Sequence, residues 1–265
     1  MLRKLIIVLF SGIILSNEPD KVLTCEYCHS HNDYLNHLPL FNALNHGFKS
    51  MEIDVVLHNE SLLVAHHWLL KNKNKTIENI YLDNIQDIYN NRGYIYPNSS
   101  LILLIDIKSS AVETYEVLDR ILDSYQSMLT YVKEDSVVEG SVTVILSGNK
   151  PSVDYIEKLS HRYVFLDGRL SDLGKNISVN LMPLISANWR DQFKWSGKGV
   201  ITNDELMVLQ EIIREVHDEG KKIRFWGSPD NVNAWEHFYL FGIDFINTDK
   251  IIKLHDFILQ NDIVH

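Results

Sequence analysis

The sequence is poor in positive charge and lacks the patterns of several common protein classes. It has 25 Lys and Arg against 35 Asp and Glu, a net charge of −10, so we expect no general electrostatic attraction to nucleic acid or to an anionic membrane. It contains no internal repeat, and its hydrophobic content of 45% is too high for a disordered chain. The composition is therefore that of a globular protein, and 265 residues suffice for one large core.

The longest apolar segment lies at the amino terminus and is short. Residues 5–15 are apolar, follow Arg3 and Lys4, and precede polar residues. This segment is too short to span a bilayer comfortably and has the pattern of a secretory signal. We therefore predict a signal peptide at residues 1–16, with an uncleaved anchor as the alternative, and a secreted or extracytoplasmic mature chain.

The segment CEYCHSHNDY, residues 25–34, admits three interpretations. Cys25, Cys28 and His29 form the C-x-x-C-H of haem attachment, His29 and His31 form a metal-binding H-x-H, and HSHNDY contains a candidate catalytic histidine. Haem attachment is typical of small helical carriers rather than large α/β domains, which argues against it here. A redox C-x-x-C would begin a helix after a strand, whereas this one precedes or forms the first strand. In an exported protein the two cysteines would form a short-range disulfide; otherwise they would be buried thiols.

Apolar segments alternate with amphipathic ones along the rest of the chain. Eight segments have the pattern of buried strands: SMEIDVVL, SLLVAH, SLILLIDIK, SVTVILSG, RYVFLDG, NLMPLISAN, KKIRFWG and IDFINTD. The clearest helix covers residues 203–219, with Asn203 as cap and Gly220 after its end. This alternation predicts an α/β fold, a single-domain (β/α)8 TIM barrel over residues 25–262. An open doubly wound sheet is the alternative, but no Gly-rich phosphate loop follows the first strand.

The predicted strands end in polar residues. In a TIM barrel the active site lies at the carboxyl ends of the strands, so these residues are candidates. They are His31, Glu52, Asp54, His66, Asp106, Lys108, Ser147, Asp167, Asn188, Trp226 and Asp249. A single acidic residue at a strand end is more often a turn or helix cap. The convergence of the whole set on one rim is therefore what predicts a site.

Three of these residues are candidate metal ligands. Glu52 and Asp54 are two positions apart on one strand and share a face, and Asp106 ends another strand. Carboxylates brought together raise one another's pKa values unless a cation relieves their repulsion. Oxygen-only ligation favours Mg²⁺ or Ca²⁺ over zinc.

His31 and His66 flank the carboxylate pair in the sequence. Imidazoles titrate near neutral pH, so two of them can serve as general base and general acid and exchange these roles in a second step. A metal would neutralise charge on a phosphoryl group, and Lys108, on the same face as Asp106, could hold the same phosphate. The pattern predicts a metal-dependent phosphoric diester hydrolase.

A family resemblance covers almost the whole mature chain, from about residue 26 to about residue 258. The chain resembles the superfamily of phosphatidylinositol-phospholipase-C-like barrels, which includes glycerophosphodiester phosphodiesterases and venom sphingomyelinase D. Within it, the chain is most similar to the subgroup called altered inheritance of mitochondria protein 6. The motifs are HSHNDYLNHLPLFNALNHGFKSMEIDVVL, LLVAH, LLIDIKS, VTVILSGNKP, LDGRLSDL, PLISANW, IRFWGSPD and GIDFINTDK.

The resemblance assigns roles by position. It implies catalysis by His31 and His66, metal ligation by Glu52, Asp54 and Asp106, a phosphate contact at Lys108 and a substrate wall that includes Trp226. It also implies attack by a substrate hydroxyl next to the phosphate, giving a cyclic phosphate. Two departures stand out. His67 follows His66 where Asp is common, which leaves the partner of His66 unassigned, and Asp106 replaces the Glu of glycerophosphodiesterases.

Two alternative functions stay open at this point. The H-x-H motif is also typical of binuclear-zinc hydrolases of the amidohydrolase type, and a barrel with these motifs could bind a lipid or sugar phosphate without turnover. The expected partner is a small phosphodiester or a phospholipid. Contact with a membrane is also open, because the aromatic cluster Trp189, Phe193 and Trp195 could line a pocket, touch a membrane or pack over the barrel.

Overall fold

The computed structural model describes residues 24–67, 69, 72–134 and 136–261. Eight parallel strands form the main sheet: β1 (Cys25–Ser30), β2 (Phe48–His58), β4 (Leu101–Ile107), β7 (Val142–Gly148), β9 (Val164–Gly168), β10 (Leu184–Asn188), β11 (Lys222–Trp226) and β12 (Ile246–Thr248). The other strands are β3 (Ser61–Val64), β5 (Tyr131–Lys133), β6 (Ser136–Val138) and β8 (His161–Arg162). The predicted signal at residues 1–16 lies outside the described residues.

The α-helices follow the strands along the chain. They are α1 (Phe41–Asn45), α2 (Asp83–Arg92), α3 (Ala111–Asp123), α4 (Val153–Glu157), α5 (Trp189–Gln192), α6 (Asn203–Asp218), α7 (Val232–Phe241) and α8 (Ile251–Gln260). The connection from β9 to β10 contains a 3-10 turn, Leu170–Asp172, in place of an α-helix. Within the described ranges, no helix combines the length and apolar character needed to cross a bilayer.

The eight strands curl into a nearly closed barrel. Their order is β11-β10-β9-β7-β4-β2-β1-β12, and each neighbouring pair is parallel. The two ends of this order, β11 and β12, also meet. The Phe245 N–H donates to the Ile223 carbonyl at 3.2 Å, and Arg224 and Phe245 form a parallel bridge. The predicted (β/α)8 barrel is confirmed.

One predicted strand has a different role. The segment SLLVAH was expected among the buried strands of the barrel, but β3 pairs antiparallel with β2 and forms one further antiparallel bridge, from Leu63 to Thr76, so it lies outside the parallel order. The reason is a tight turn: Asn59 and Glu60 both have positive φ, 48° and 60°, which is typical of a two-residue hairpin that folds the chain back on itself. The eighth barrel position belongs to β1, whose Cys25 and Cys28 are buried and joined by a disulfide.

Helix α6 confirms the predicted helix but begins with a different cap. The Thr202 side chain accepts the N–H of Glu205, so Thr202 is the N-cap and Asn203 is the first helical residue. Thr202 also donates to the Glu205 carboxylate, which completes a favourable helix start. Gly220 follows the helix with a φ of 71°, as expected of a glycine that ends one.

The barrel interior has two levels. Its floor is apolar and comprises Leu104, Ile145, Phe165, Leu184 and Phe245, with Val132 from the small sheet of β5, β6 and β8. Toward the carboxyl ends of the same strands, side chains two positions further on are polar and share the inner face. The apolar floor therefore supports a polar site at the barrel mouth.

The aromatic cluster packs on the outer side of the barrel. Trp189, Phe193 and Trp195 are each less than 10% exposed, and the Trp189 ring contacts Phe225 and Phe238. Of the interpretations open from the sequence, packing over the barrel is the one that the structure supports.

Candidate active site

The three predicted metal ligands lie together. One carboxylate oxygen from each of Glu52, Asp54 and Asp106 lies within 4.8 Å of the others. The register of the sheet explains this, because Asp54 of β2 is paired directly with Asp106 of β4, and Glu52 lies on the same face one step below. Glu52 and Asp54 are buried, and Asp106 is nearly so.

Two cations contact this cluster. Lys108 Nζ lies 3.0 Å from Asp106 Oδ2 and 3.5 Å from Asp54 Oδ1, and Arg224 Nη2 lies 2.5 Å from Glu52 Oε2. Burial alone would raise the pKa of Glu52, but Arg224 and the hydrogen bond from His29 bring it well below its usual range. Three carboxylates and two cations leave one excess negative charge at the barrel mouth.

The cluster fits a hard divalent cation. Asp54 Oδ1 and Asp106 Oδ1 are buried and accept no hydrogen bond from the described residues, which costs free energy unless a ligand supplies a partner. Burial, with the nearby Asp54, raises the pKa of Asp106 despite the opposing effect of Lys108. The donors are all oxygens, the set preferred by Mg²⁺ and Ca²⁺.

Gly148 makes room for one of these unpaired oxygens. It has a φ of 65°, and a Cβ atom at this position would lie 1.9 Å from Asp106 Oδ1. Any larger residue would push Asp106 aside, so the glycine that ends β7 permits the close approach.

His66 is held by one of the predicted metal ligands. Its Nδ1 lies 2.6 Å from Asp54 Oδ2, and the Tyr34 hydroxyl donates to the same oxygen at 2.8 Å. Because a carboxylate only accepts, Nδ1 carries the proton and Nε2 is left for chemistry. Asp54 therefore fills the role left unassigned by the sequence, while His67 Nδ1 accepts the backbone N–H of Leu69.

His31 is held by a carboxylate from the opposite side of the site. Its Nδ1 lies 2.7 Å from Asp249 Oδ1, just after β12. Burial lowers the pKa of His31, but the Asp249 hydrogen bond and the charge of Glu52 outweigh this and raise it. Asp249 is fixed in turn, because its backbone N–H donates to Asp230 Oδ2 at 3.2 Å.

His29 belongs to the support of the carboxylates. Its Nδ1 lies 2.7 Å from Ser50 Oγ and its Nε2 lies 3.5 Å from Glu52 Oε2. Burial, with the charge of Arg224, lowers the pKa of His29 to about 3, so the ring is neutral at pH 7. Among the described residues, the one group of three or more potential metal ligands is the carboxylate cluster, which favours it over an H-x-H zinc centre.

The two predicted substrate contacts lie at this mouth. Lys108 is half-buried, and although burial lowers its pKa, Asp106 and Asp54 raise it overall, so the ammonium stays charged. Trp226 ends β11 and is 41% exposed. It lies two residues beyond Arg224, whose side chain enters the barrel, and alternation along the strand directs Trp226 to the same face.

Sequence reasoning missed the roles of Arg224, His29, Tyr34 and Asn247. Arg224 Nε donates to Asn247 Oδ1 at 2.9 Å, in addition to the Glu52 contact. A signal existed for Arg224, since a charged residue inside the apolar segment KKIRFW, two positions before a strand end, is costly to bury without a partner. Tyr34 carried no comparable signal, because the chain must turn after β1 to bring its hydroxyl to Asp54.

The fold and the site together define a phosphodiesterase-type TIM barrel. The fold is similar to that of a glycerophosphodiester phosphodiesterase from Parabacteroides distasonis, with a TM-score of 0.52, 13% identity and coverage of 91% of this chain and 99% of that one. At this low identity the similarity concerns the fold alone.

More specific similarities define the family. Residues 20–167 match the model of the AIM6-like phosphodiesterase domain. The chain is 30% identical over 274 residues to Altered inheritance of mitochondria protein 6 of Eremothecium gossypii, which covers 86% of this chain and 68% of that protein. The protein of the same name from Saccharomyces cerevisiae is 32% identical over 240 residues, 76% of this chain and 61% of that protein. The chain belongs to the AIM6 family and matches about two thirds of the length of these relatives.

Proposed function

We propose that this protein is a metal-dependent phosphoric diester hydrolase in which His31 and His66 provide acid–base catalysis. The observation that carries the proposal is that both imidazoles are held at Nδ1 by carboxylates, 2.7 Å from Asp249 and 2.6 Å from Asp54, beside a carboxylate cluster with unpaired oxygens. Because a carboxylate only accepts, each ring is fixed with its proton on Nδ1, and Nε2 would be the nitrogen that exchanges a proton with the substrate. The family and the barrel fold support the reaction class.

Glu52, Asp54 and Asp106 would hold Mg²⁺ or Ca²⁺, which would neutralise charge on the phosphoryl oxygens. Lys108 binds a phosphoryl oxygen as a fixed cation, and Trp226 forms part of the wall around the substrate. One imidazole accepts the proton of an attacking substrate hydroxyl, and the other protonates the departing alkoxide, which gives a cyclic phosphate. The imidazoles then exchange roles if water opens the ring.

We also propose that the protein acts outside the cytoplasm, on a small phosphodiester or a phospholipid. The disulfide between Cys25 and Cys28 supports an oxidising compartment. The net charge of −10 offers no general attraction for nucleic acid.

The test is cleavage of glycerophosphocholine, whose glycerol hydroxyl next to the phosphate permits the proposed attack, after chelation and with Mg²⁺, Ca²⁺ or Zn²⁺ restored singly. We expect activity to return with Mg²⁺ or Ca²⁺, and His31→Ala or His66→Ala to lower kcat by about 10²- to 10⁴-fold while metal binding persists. His217→Ala is the matched control, because His217 also pairs with a carboxylate, 2.8 Å from Asp244. Activity with zinc alone, full activity in the His31→Ala protein, or no turnover of any diester would contradict the proposal.

A further inference from the structure

A cavity of about 200 Å³ borders the candidate active site. Tyr34 and His66 form part of its wall, and these are the two residues that bond to Asp54 Oδ2. The cavity therefore begins at one of the proposed acid–base residues. A substituent of a phosphodiester bound beside His66 would have direct access to it.

The cavity wall is mainly hydrocarbon. Besides the Tyr34 ring, it comprises Leu35, Val64 and Ile80 among other apolar residues. The polar groups of the lining are the Tyr34 hydroxyl and the His66 imidazole, which both bond to Asp54, and the side chains of Asn72 and Lys75, which are exposed. A polar substituent would lose water here and find few partners, whereas a hydrocarbon substituent would gain from leaving water.

We propose that this cavity holds a hydrocarbon chain, so that the substrate is a phosphodiester carrying an acyl or alkyl chain. The inference rests on the proposed function and specifies its substrate class. A volume of about 200 Å³ is several times the roughly 30 Å³ that one water occupies in the liquid, so it accommodates the first few carbons of a chain.

Exposed leucines occur in the two chain segments that contribute Leu35 and His66 to the cavity wall. Leu35 at its wall is 72% exposed, Leu38 in the same segment is 55% exposed, and Leu69 is 68% exposed. Leu69 lies in the loop between His66 and Asn72, both of which line the cavity. The carbons of a longer chain would pass over this apolar rim, formed by Leu35, Leu38 and Leu69.

The first test compares two substrates that differ only in the chain. Hexanoyl lysophosphatidylcholine, used as a monomer in solution, and glycerophosphocholine share the phosphodiester and the choline group. Each buried methylene contributes about fourfold to binding, so we expect kcat/KM to be at least about tenfold higher for the hexanoyl substrate. Equal values, or a preference for glycerophosphocholine, would overturn the proposal.

The variant Leu35→Ser tests whether this cavity is the source of the preference for the hexanoyl substrate. The Leu35 side chain is largely exposed, so the fold should tolerate the change. We expect a decrease of about fivefold in kcat/KM for the hexanoyl substrate, with less than about twofold change for glycerophosphocholine, which has no chain to place in the cavity. Leu240→Ser is the matched control, since Leu240 on α7 is 67% exposed. Equal losses on both substrates, or equal losses in the two variants, would contradict the assignment of this cavity.

A binding measurement separates this inference from the proposed function. Calorimetry with hexyl phosphate and with inorganic phosphate requires no turnover, and we expect hexyl phosphate to bind at least about tenfold more tightly in the wild type and to lose part of this preference in Leu35→Ser. If no diester is hydrolysed but the preference is seen, the cavity assignment stands and the catalytic proposal fails. If hexyl phosphate binds no more tightly than inorganic phosphate, the cavity assignment fails whatever the activity.

Discussion

The two histidine–carboxylate pairs at the barrel mouth have the same local geometry and different surroundings. His66 and His31 both present Nδ1 to a carboxylate oxygen, at 2.6 Å and 2.7 Å. The partner of His66, Asp54, has a fully buried side chain and also accepts from Tyr34, whereas the side chain of Asp249, the partner of His31, is 70% exposed. The His66 pair includes a residue of the carboxylate cluster, whereas neither His31 nor Asp249 belongs to that cluster.

The two carboxylates should therefore differ in what their substitution changes. Asp54 holds an imidazole with Oδ2, while its Oδ1 accepts no hydrogen bond from the described residues and lies 3.5 Å from Lys108 Nζ. Under the proposed function, this single residue would take part in both acid–base chemistry and metal ligation. Asp249 is not part of the carboxylate cluster, and its carboxylate bonds to His31, outside the set of potential metal ligands. Changes at Asp54 should therefore alter metal binding and catalysis together, and changes at Asp249 should alter catalysis alone.

The largest effect is expected for Asp54→Asn. An amide has one acceptor oxygen, which cannot serve His66, Tyr34 and a metal, so we expect kcat/KM for glycerophosphocholine to fall at least about 10³-fold, with weaker Mg²⁺ binding. Added Mg²⁺ should not restore the rate, because His66 also loses its partner.

The matched variant is Glu52→Ala, which removes a proposed ligand that forms no hydrogen bond with His31 or His66. Mg²⁺ should partly restore its activity, as seen in kinetic titrations with the metal. Equal rescue of Glu52→Ala and Asp54→Asn by Mg²⁺ would show that Asp54 acts only as a ligand and would remove the distinction between the two pairs.

The same contrast shows how far sequence can predict this site. Glu52, Asp54 and Asp106 could be predicted because alternation along a strand and the rule that barrel sites lie at strand ends place them together. The partner of His66 could not be predicted, because β3 is a hairpin strand and the turn before it decides where His66 lies. Arg224 comes from the far end of the chain, 172 residues after Glu52, and only closure of the barrel brings the two together.

An intermediate effect is expected for Asp249→Asn. Removing a carboxylate that supports a functional imidazole should lower kcat by about 10- to 100-fold and leave Mg²⁺ affinity unchanged. The folded protein raises the pKa of His31 through Asp249 against the opposing effects of burial and Arg224, so the variant should have a lower pKa. The limb of the pH–rate profile that belongs to His31 should therefore move to lower pH.

The limb that moves identifies the role of His31. Movement of the acid limb would assign it as the base, and movement of the alkaline limb would assign it as the acid. A profile unchanged in both limbs, or one displaced to higher pH, would show that Asp249 does not control this titration. His217→Ala serves again as the control, because its partner Asp244 lies outside the site.

The smallest effect concerns stability. The folded-state pKa of His31 is raised, so the pair stabilises the protein fully below the unfolded pKa of about 6.5 and loses this contribution as pH rises through the folded pKa. The pKa of Asp249 is lowered by its hydrogen bond to His31, so its contribution is present above about pH 4 and is lost on further acidification. The difference in unfolding free energy between the wild type and Asp249→Asn should therefore be largest between about pH 4 and pH 6.5.

Because Asp249 is largely exposed and screened by solvent, we expect this difference to be at most about 1 kcal/mol and to decrease with salt. Urea unfolding at pH 5.5 and pH 9, with chelator in both, measures this difference in unfolding free energy. A larger difference at pH 9 would mean that His31 is held as the neutral ring. The two pairs would then be more alike than their exposure indicates.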